Sequence, residues 1–164
     1  MLESENGFGF IEIMVVVLLI AVLATVAVPS FRHLVDETRV NSEANTLVTA
    51  FYTARSYAIR HNTQTKICSG TSCSTGSNLA SGWVIENSTG KIIRKWSKPS
   101  ATTRSFFNGS SLQSITYNQN GLPVNRPSGH IDICSGGQVR QVVFSAVGNL
   151  QTHSKNGSCS SCGC

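Results

Sequence analysis

One carboxylate interrupts the most apolar stretch of the chain. Glu12 is the only charged residue between Phe8 and Val28, and the part after Glu12 has no polar side chain except Thr25. A carboxylate at the edge of a membrane segment is costly unless it is paired, so such residues rarely stand there without a role. A cut before Phe8 would create an α-amino group, which is positively charged near neutral pH. The Glu12 carboxylate of one copy is suited to pair with that amine of a neighbouring copy.

Six cysteines form a second group of reactive residues, and all of them follow residue 60. Cys68 and Cys73 flank a short loop, and this separation predicts a disulfide between them. Cys134 ends a predicted strand, and a bridge from Cys134 to Cys159 would fix the C-terminal tail. Disulfides persist in oxidising compartments. We therefore expect this half of the chain to lie outside the cytoplasm.

The cysteines of the tail allow two further interpretations. Cys162 or Cys164 could replace Cys159 as the partner of Cys134. Cys159, Cys162 and Cys164 also form, together with His153, a formal set of zinc ligands. Zinc binds thiolates, which do not persist in an oxidising compartment, and the tail is rich in Gly and Ser. We therefore expect neither a metal site nor another cofactor.

Basic residues dominate the second half of the chain. From His61 to the C-terminus there are nine Lys and Arg residues against Glu86 and Asp132, a net charge of +7. Five of the nine lie close together in sequence, next to Trp96. Such a group can hold phosphate backbones by releasing counterions, or an acidic partner, but it can equally solvate a charge-poor surface. The five are Lys91, Arg94, Lys95, Lys98 and Arg104.

One long helix is predicted to carry Glu12. Residues 8–28 supply the roughly 20 apolar residues that a transmembrane helix needs, whereas the apolar region of an ordinary secretory signal has about 7–15. After Pro29 apolar residues recur at helical spacing with polar residues between them. Pro29 is tolerated in such a helix as a kink. We therefore expect residues 8–60 to form one helix, with residues 8–28 as the transmembrane part.

Residues 61–164 are predicted to form a β-rich globular head. Ser, Thr, Asn and Gly dominate there, and the apolar residues come in short runs between turn residues. The fold class is therefore α+β, a long N-terminal hydrophobic helix whose C-terminal half packs on an antiparallel sheet. Six strands are predicted, of which the second pairs with the third and the fifth with the sixth: Thr65–Cys68, Gly82–Glu86, Lys91–Trp96, Ser114–Tyr117, Ile131–Cys134 and Val139–Ala146.

Composition and motifs exclude several classes of protein. The chain is 40% hydrophobic and 13% charged, which argues against a disordered protein. It contains no P-loop, no dinucleotide-binding glycine fingerprint and no zinc-protease helix motif. It also lacks the Gly-x-Ser-x-Gly motif of serine hydrolases. We therefore expect the protein not to be an enzyme.

The first 29 residues resemble the N-terminal signature of type IV pilins and pseudopilins. The resemblance rests on Gly7-Phe8-Gly9-Phe10-Ile11-Glu12, the apolar run and Pro29. In that family a prepilin peptidase cuts after the glycine, the new N-terminal residue is N-methylated, and a glutamate and a proline stand fifth and twenty-second after the cut. The resemblance implies a leader at residues 1–7, cleavage between Gly7 and Phe8, N-methylation of Phe8, and a role for Glu12 in subunit assembly.

The head is similar to the FimT/GspH group of minor pilins. The similarity rests on Ala54-Arg55-Ser56-Tyr57-Ala58-Ile59-Arg60 at the helix end and on Gly82-Trp83-Val84-Ile85. It implies a minor pilin that is held in the inner membrane by one span, with a periplasmic head. The minor pilin is then built into the pilus or its tip and initiation complex, with residues 8–28 in the filament core of an extracellular fibre. Its implied partners are the prepilin peptidase and other major and minor pilins.

Three other functions compete with this interpretation. A minor pseudopilin of type II secretion would have the same helix and a similar head. A DNA-binding minor pilin for natural transformation would carry a Gly-Arg-x-Arg motif near the C-terminus, whereas the corresponding stretch here is Gly148-Asn149-Leu150-Gln151, without arginine. An anchored periplasmic protein that never enters a filament would keep Met1.

Overall fold

The computed structural model describes residues 9–73, 82–97, 104–108, 114–124 and 128–155. Within these residues, one helix is followed by eight strands, and the predicted α+β class is confirmed. All six predicted strands are present, with ends displaced by at most two residues, and β4 and β8 are additional. The elements are α1 (Phe10–Arg60), β1 (Thr65–Ser69), β2 (Trp83–Asn87), β3 (Ile92–Trp96), β4 (Arg104–Asn108), β5 (Ser114–Tyr117), β6 (Gly129–Ser135), β7 (Gln138–Phe144) and β8 (Leu150–Lys155).

The strands form two antiparallel sheets rather than the single sheet that was predicted. Sheet I has the order β3-β2-β1-β5, and sheet II has the order β4-β6-β7-β8. Both predicted hairpins are present, β2 with β3 and β6 with β7. The β6–β7 hairpin gains one unpredicted strand on each side, and these two strands turn it into a separate sheet.

The chain divides into two compact units. The first ends at Val35, and the second runs from Asp36 to the C-terminus. In the first unit the described residues from Phe10 onward are helical, and the large apolar side chains described there as far as Leu34 are exposed. The most apolar 18-residue window of α1 has a mean hydropathy of 3.0. By length and composition this helix can cross a membrane.

The second unit has its own hydrophobic core. A stripe of buried residues along α1 includes Leu47, Phe51 and several alanines, which have small side chains and so allow the helix backbone to approach the strands. Both sheets contribute to the same core, sheet I through Trp83 and Ile85, and sheet II through residues such as Phe144. The rings of Phe51 and Phe144 stack with centroids 6.5 Å apart, which joins α1 to sheet II.

The helix ends in a hydrogen-bonded C-cap. Asn62 has a positive φ of 47°, the left-handed conformation that asparagine tolerates better than most residues. The N–H of Thr63 donates to the carbonyl of Ala58 at 3.1 Å, and the N–H of Asn62 donates to the carbonyl of Ile59 at 3.4 Å. These two bonds satisfy carbonyls that the last helical turn would otherwise leave free, and they define where the head begins.

Candidate functional site

Glu12 lies in the first turn of α1, on an apolar helical surface. Its N–H donates to the carbonyl of Gly9 at 3.0 Å, and its side chain is exposed. Its neighbours Phe10 and Ile11 are 80% and 71% exposed. None of the described residues places a cation within ion-pair distance of the Glu12 carboxylate. This arrangement offers one negative charge, at the start of an apolar helix, to a positive group of another molecule.

The other N-terminal predictions concern the cleavage site and Pro29. Gly7 and Phe8, the predicted cleavage site, lie outside the described residues. Pro29 lies inside α1, as expected. Proline has no backbone N–H, so the carbonyl of Thr25 lacks its helical donor. The loss of this hydrogen bond allows the helix to bend at Pro29. The kink itself stays a prediction.

The predicted disulfide between Cys68 and Cys73 is confirmed. The two Cα atoms are 5.2 Å apart, at the end of β1 and in the loop that follows. The N–H of Cys73 also donates to Glu86 Oε1 at 2.8 Å. Glu86 lies on β2, opposite Lys66 of β1. The bridge and this hydrogen bond together fix the loop to sheet I.

Cys134 also forms a disulfide. It lies on β6 and is buried. Its partner lies outside the described residues, so the pairing of Cys134 with Cys159 stays a prediction, as does the role of Cys162 or Cys164. His153 is placed on the unpredicted strand β8, whose backbone pairs with β7. No strand was predicted at residues 150–155, so β8 adds to the predicted elements.

Four of the five clustered basic residues lie in the described part of the chain, in or next to the edge strands of two sheets. Lys91 immediately precedes β3, the edge strand of sheet I that carries Arg94 and Lys95, and all three are exposed. The guanidinium carbon of Arg94 lies 4.9 Å from the centroid of the Trp96 ring, a cation–π contact. Arg104 begins β4, the edge strand of sheet II, and Lys98 is outside the described residues. The described members are therefore divided: Lys91, Arg94 and Lys95 lie at the edge of sheet I, whereas Arg104 begins the edge strand of sheet II.

A buried carboxylate in sheet II was not predicted. Asp132 is only 1% exposed. Its Oδ1 accepts a hydrogen bond from Gln141 Nε2 at 2.9 Å, and its Oδ2 lies 3.7 Å from His130 Nε2. Asp132 and Gln141 are opposite each other in the β6–β7 register. The predicted hairpin joined the two strands, but the sequence showed neither this register nor any sign that the polar pair is buried.

Asp36 connects α1 with the turn between β6 and β7. Ser135 Oγ donates to Asp36 Oδ1 at 3.0 Å, and Arg39 Nη1 lies 3.5 Å from the same oxygen. Gly136 follows with a φ of +54°, and a Cβ at that position would overlap the Asp36 carboxylate. The sequence identified Ser135 and Gly136 only as turn residues, because the contact joins positions that are 99 residues apart.

Steric contacts explain why a glycine precedes Trp83 in the Gly-Trp motif. Gly82 has a φ of +95°, and a Cβ there would collide with the carbonyl oxygen of Trp96. Its own carbonyl accepts a hydrogen bond from the N–H of Gly70 at 2.8 Å. Trp83, which follows, is buried in the core. The motif therefore starts β2 by bringing two backbones into close contact.

The described residues contain no group of three or more His, Cys, Asp or Glu side chains that could hold a metal ion. The features found in the described parts of the chain are an exposed carboxylate on an apolar helix, a disulfide-fixed head and a charged strand edge. These features are suited to association with other molecules.

The family model described as type II transport protein GspH matches residues 43–148. A comparison with curated proteins gives no match. A crystal structure of the type IV minor pilin FimU of Pseudomonas aeruginosa matches with a TM-score of 0.61 and 22% identity, and the match covers 74% of this chain and 96% of that chain. The minor pseudopilin EpsH of Vibrio cholerae matches with a TM-score of 0.53 and 11% identity, covering 73% and 98%.

These comparisons agree with the resemblance seen in the sequence. The matched structures are a minor pilin and a minor pseudopilin, not enzymes, and they share the helix-and-sheet fold. The family model spans well over half of the 164 residues. The chain is therefore a pilin-like protein of the minor pilin or pseudopilin kind, and it belongs to the family described as type II transport protein GspH.

Proposed function

We propose that this protein is a minor pilin of the type IV pilus system. It is held in the inner membrane with its head in the periplasm, cut by the prepilin peptidase after Gly7, and N-methylated on Phe8. It is then built into the pilus or its tip and initiation complex. The observation that carries this proposal is the Glu12 carboxylate, exposed on an apolar helix that is otherwise uncharged between residues 9 and 28.

Charge pairing explains how such a helix can enter a filament. An isolated carboxylate is costly in an apolar medium, and so is an isolated ammonium group. The new amine of Phe8 in one subunit and the Glu12 carboxylate of a neighbour reduce both costs when they meet. The exposed apolar side chains described in residues 10–28 leave contact with lipid only to contact other helices, so this transfer costs little, and van der Waals packing between the helices favours association.

The decisive experiment makes two measurements. It identifies the N-terminal residue of the mature protein, and it measures how much of the protein is incorporated into fibres. Mass spectrometry of protein purified from cells should find a chain that begins at methylated Phe8. Glu12→Gln should lower the amount recovered in sheared fibres at least about tenfold, because the amine of the neighbour then lacks a counter-charge. Glu37→Gln, which changes an exposed carboxylate outside the first unit, is the matched control. A chain that still begins at Met1, or equal recovery of both variants, would contradict the proposal.

A minor pseudopilin of type II secretion is the second candidate, and the description of the matching family favours it. Both candidates need the same processing and the same Glu12, so mutations in the helix do not separate them. Co-purification does: cross-linked cells should yield this protein with pilus subunits if the first proposal holds. Recovery with pseudopilins and secretion-system components instead would establish the second.

DNA binding for natural transformation is supported only by the exposed cations Lys91, Arg94 and Lys95 at the edge of sheet I. Gel-shift titration with the purified protein at low salt tests this function. Lys91, Arg94 and Lys95 are the residues to change to Glu, because all three are exposed. Loss of binding in the triple variant would support a DNA-binding role, and absence of binding in the unchanged protein would remove it.

A further inference from the structure

An exposed apolar surface lies at the C-terminal end of α1. Tyr52 and Ile59 are seven residues apart, which places them on one face of the helix, and they are 49% and 50% exposed. Leu122, 46% exposed, follows the turn at Gly121. A Cβ at Gly121 would contact the side chains of Ile59 and Arg55, so this turn lies directly against the helix. We call Tyr52, Ile59 and Leu122 the helix-end patch.

The residues of the helix-end patch are not part of the hydrophobic core. The buried stripe of α1 runs through Phe51, Ala54 and Ala58 on a different face of the helix. Tyr52 and Ile59 also line a shallow groove together with Arg55, Ser56 and Arg60. Exposed apolar side chains that form a contiguous surface are typical of sites where another protein binds. Tyrosine and arginine are also the residues that most often dominate the energy of such contacts.

Charge indicates what kind of protein fits this surface. Arg55 and Arg60 border the groove, and none of the described residues that line it is acidic. The carboxylates of α1 in the second unit lie at its other end, at Asp36, Glu37 and Glu43. Because the region from His61 onward carries a net charge of +7, a second copy of this chain would be repelled. The complementary partner is a different protein with an acidic surface.

We propose that the helix-end patch is the docking surface for a different pilin-family subunit with an acidic head. This inference rests on the proposed function and names the surface through which the head joins its neighbour. An exposed carboxylate of the partner pairs with Arg55 and Arg60, and an apolar side chain beside it packs on Ile59 and Leu122. Charge complementarity of this kind selects the partner, and apolar burial contributes most of the affinity.

Site-specific photo-crosslinking in the producing cells tests the proposal. A photoreactive amino acid replaces Ile59 in the full chain, and the adducts are identified by mass spectrometry. We expect an adduct with a pilin-family subunit whose head is net negative. Arg55→Glu and the more exposed Arg60→Glu should each lower its yield at least about fivefold, because reversal of a charge at an interface is repulsive. Lys95→Glu, an exposed charge reversal on β3, should leave the yield unchanged.

Three outcomes would overturn the docking surface: an adduct with a second copy of this chain, absence of an adduct, or yields that are the same in the Arg55→Glu, Arg60→Glu and Lys95→Glu variants. Arg60→Glu keeps the test valid if Arg55→Glu fails to fold, because Arg60 is exposed. The amount of protein in sheared fibres is measured in the same cells. Protein present in fibres without the expected adduct contradicts only the docking surface, whereas absence from fibres contradicts the proposed function.

Discussion

At the scale of single residues, several contacts depend on side chains that sequence patterns do not connect. Asp36 accepts a hydrogen bond from Ser135 Oγ, and its carboxylate occupies the space where Gly136 would carry a Cβ. Asp132 of β6 is buried and accepts a hydrogen bond from Gln141. A sequence shows that Gly136 is in a turn, but it does not show which distant side chain approaches it. Such contacts are fixed only when the whole unit packs.

The Asp36 contact predicts different effects for two adjacent glycines. Gly136 and Gly137 both have a positive φ, of 54° and 87°, but a Cβ at Gly137 would meet nothing within 4 Å. Gly136→Ala should therefore lower the free energy of unfolding by about 1–2 kcal/mol more than Gly137→Ala, as measured by denaturant titration. When each glycine change is combined with Asp36→Ala, Gly136→Ala and Gly137→Ala should lower the free energy of unfolding by similar amounts. Equal effects of the two single changes would show that Asp36 does not constrain the turn.

Tyr117 predicts a dependence of stability on pH. Burial raises the pKa of its hydroxyl from 10.0 to about 12, an effect that Arg55 partly opposes. The phenol is neutral in the folded protein at a pH where the unfolded chain already ionises, so its contribution is fully present below pH 10.0. The contribution is lost as the pH rises towards about 12.

Replacing the Tyr117 hydroxyl tests this dependence. Tyr117→Phe should flatten the fall in the free energy of unfolding over this pH range, by up to about 3 kcal/mol at its upper end. The measurement is a series of denaturant titrations at increasing pH. Tyr57→Phe, which removes a half-buried tyrosine hydroxyl that is not among the groups acting on Tyr117, is the control and should follow the unchanged protein. If the curves of the Tyr117→Phe variant and of the unchanged protein stay parallel between pH 10.0 and about 12, the predicted role of Tyr117 is wrong.

At the scale of elements, the spacing of apolar residues predicted more of the helix and strands than the overall composition did. The apolar stripe after Pro29 identified α1, and runs such as Val139–Ala146 identified strands that contribute to the core. β8 has the sequence Leu-Gln-Thr-His-Ser-Lys, which has no apolar alternation, so only its pairing with β7 makes it a strand. β4 likewise became visible only through its register with β6. The division into two sheets follows from these two strands and was not accessible from local patterns.

The loop after β1 predicts the contribution of a disulfide to stability. The Cys68–Cys73 bridge closes a loop with a sequence separation of 5 residues. For a loop this short, the chain-entropy estimate is about 2 kcal/mol. Replacing both cysteines by alanine should lower the free energy of unfolding by about that amount. The double variant is used because Cys73→Ala alone would leave a free thiol at Cys68. A double variant as stable as the parent protein would show that the hydrogen bond from Cys73 N–H to Glu86 fixes the loop without the bridge.

At the scale of the whole molecule, the two compact units have separate physical tasks. The large apolar side chains described in the first unit, from Phe10 to Leu34, are exposed, so this unit requires lipid or other helices around it. Every member of the main hydrophobic core, from Val40 to Phe144, belongs to the second unit. The N-terminal signature predicted the first task from sequence because it depends on composition and spacing alone. The core of the second unit needed the structure, since α1 and both sheets contribute to it.

This division predicts that residues 36–164 fold without the first unit. The fragment should be soluble and should unfold cooperatively in denaturant, because no core residue is removed. Phe51→Ala, which deletes the ring that stacks on Phe144, should lower its free energy of unfolding by about 3–5 kcal/mol. Ile59→Ala on the exposed face should change it by less than about 1 kcal/mol. A fragment without a cooperative transition would mean that the first 35 residues contribute to folding of the head, and the separation of tasks between the two units would then be wrong.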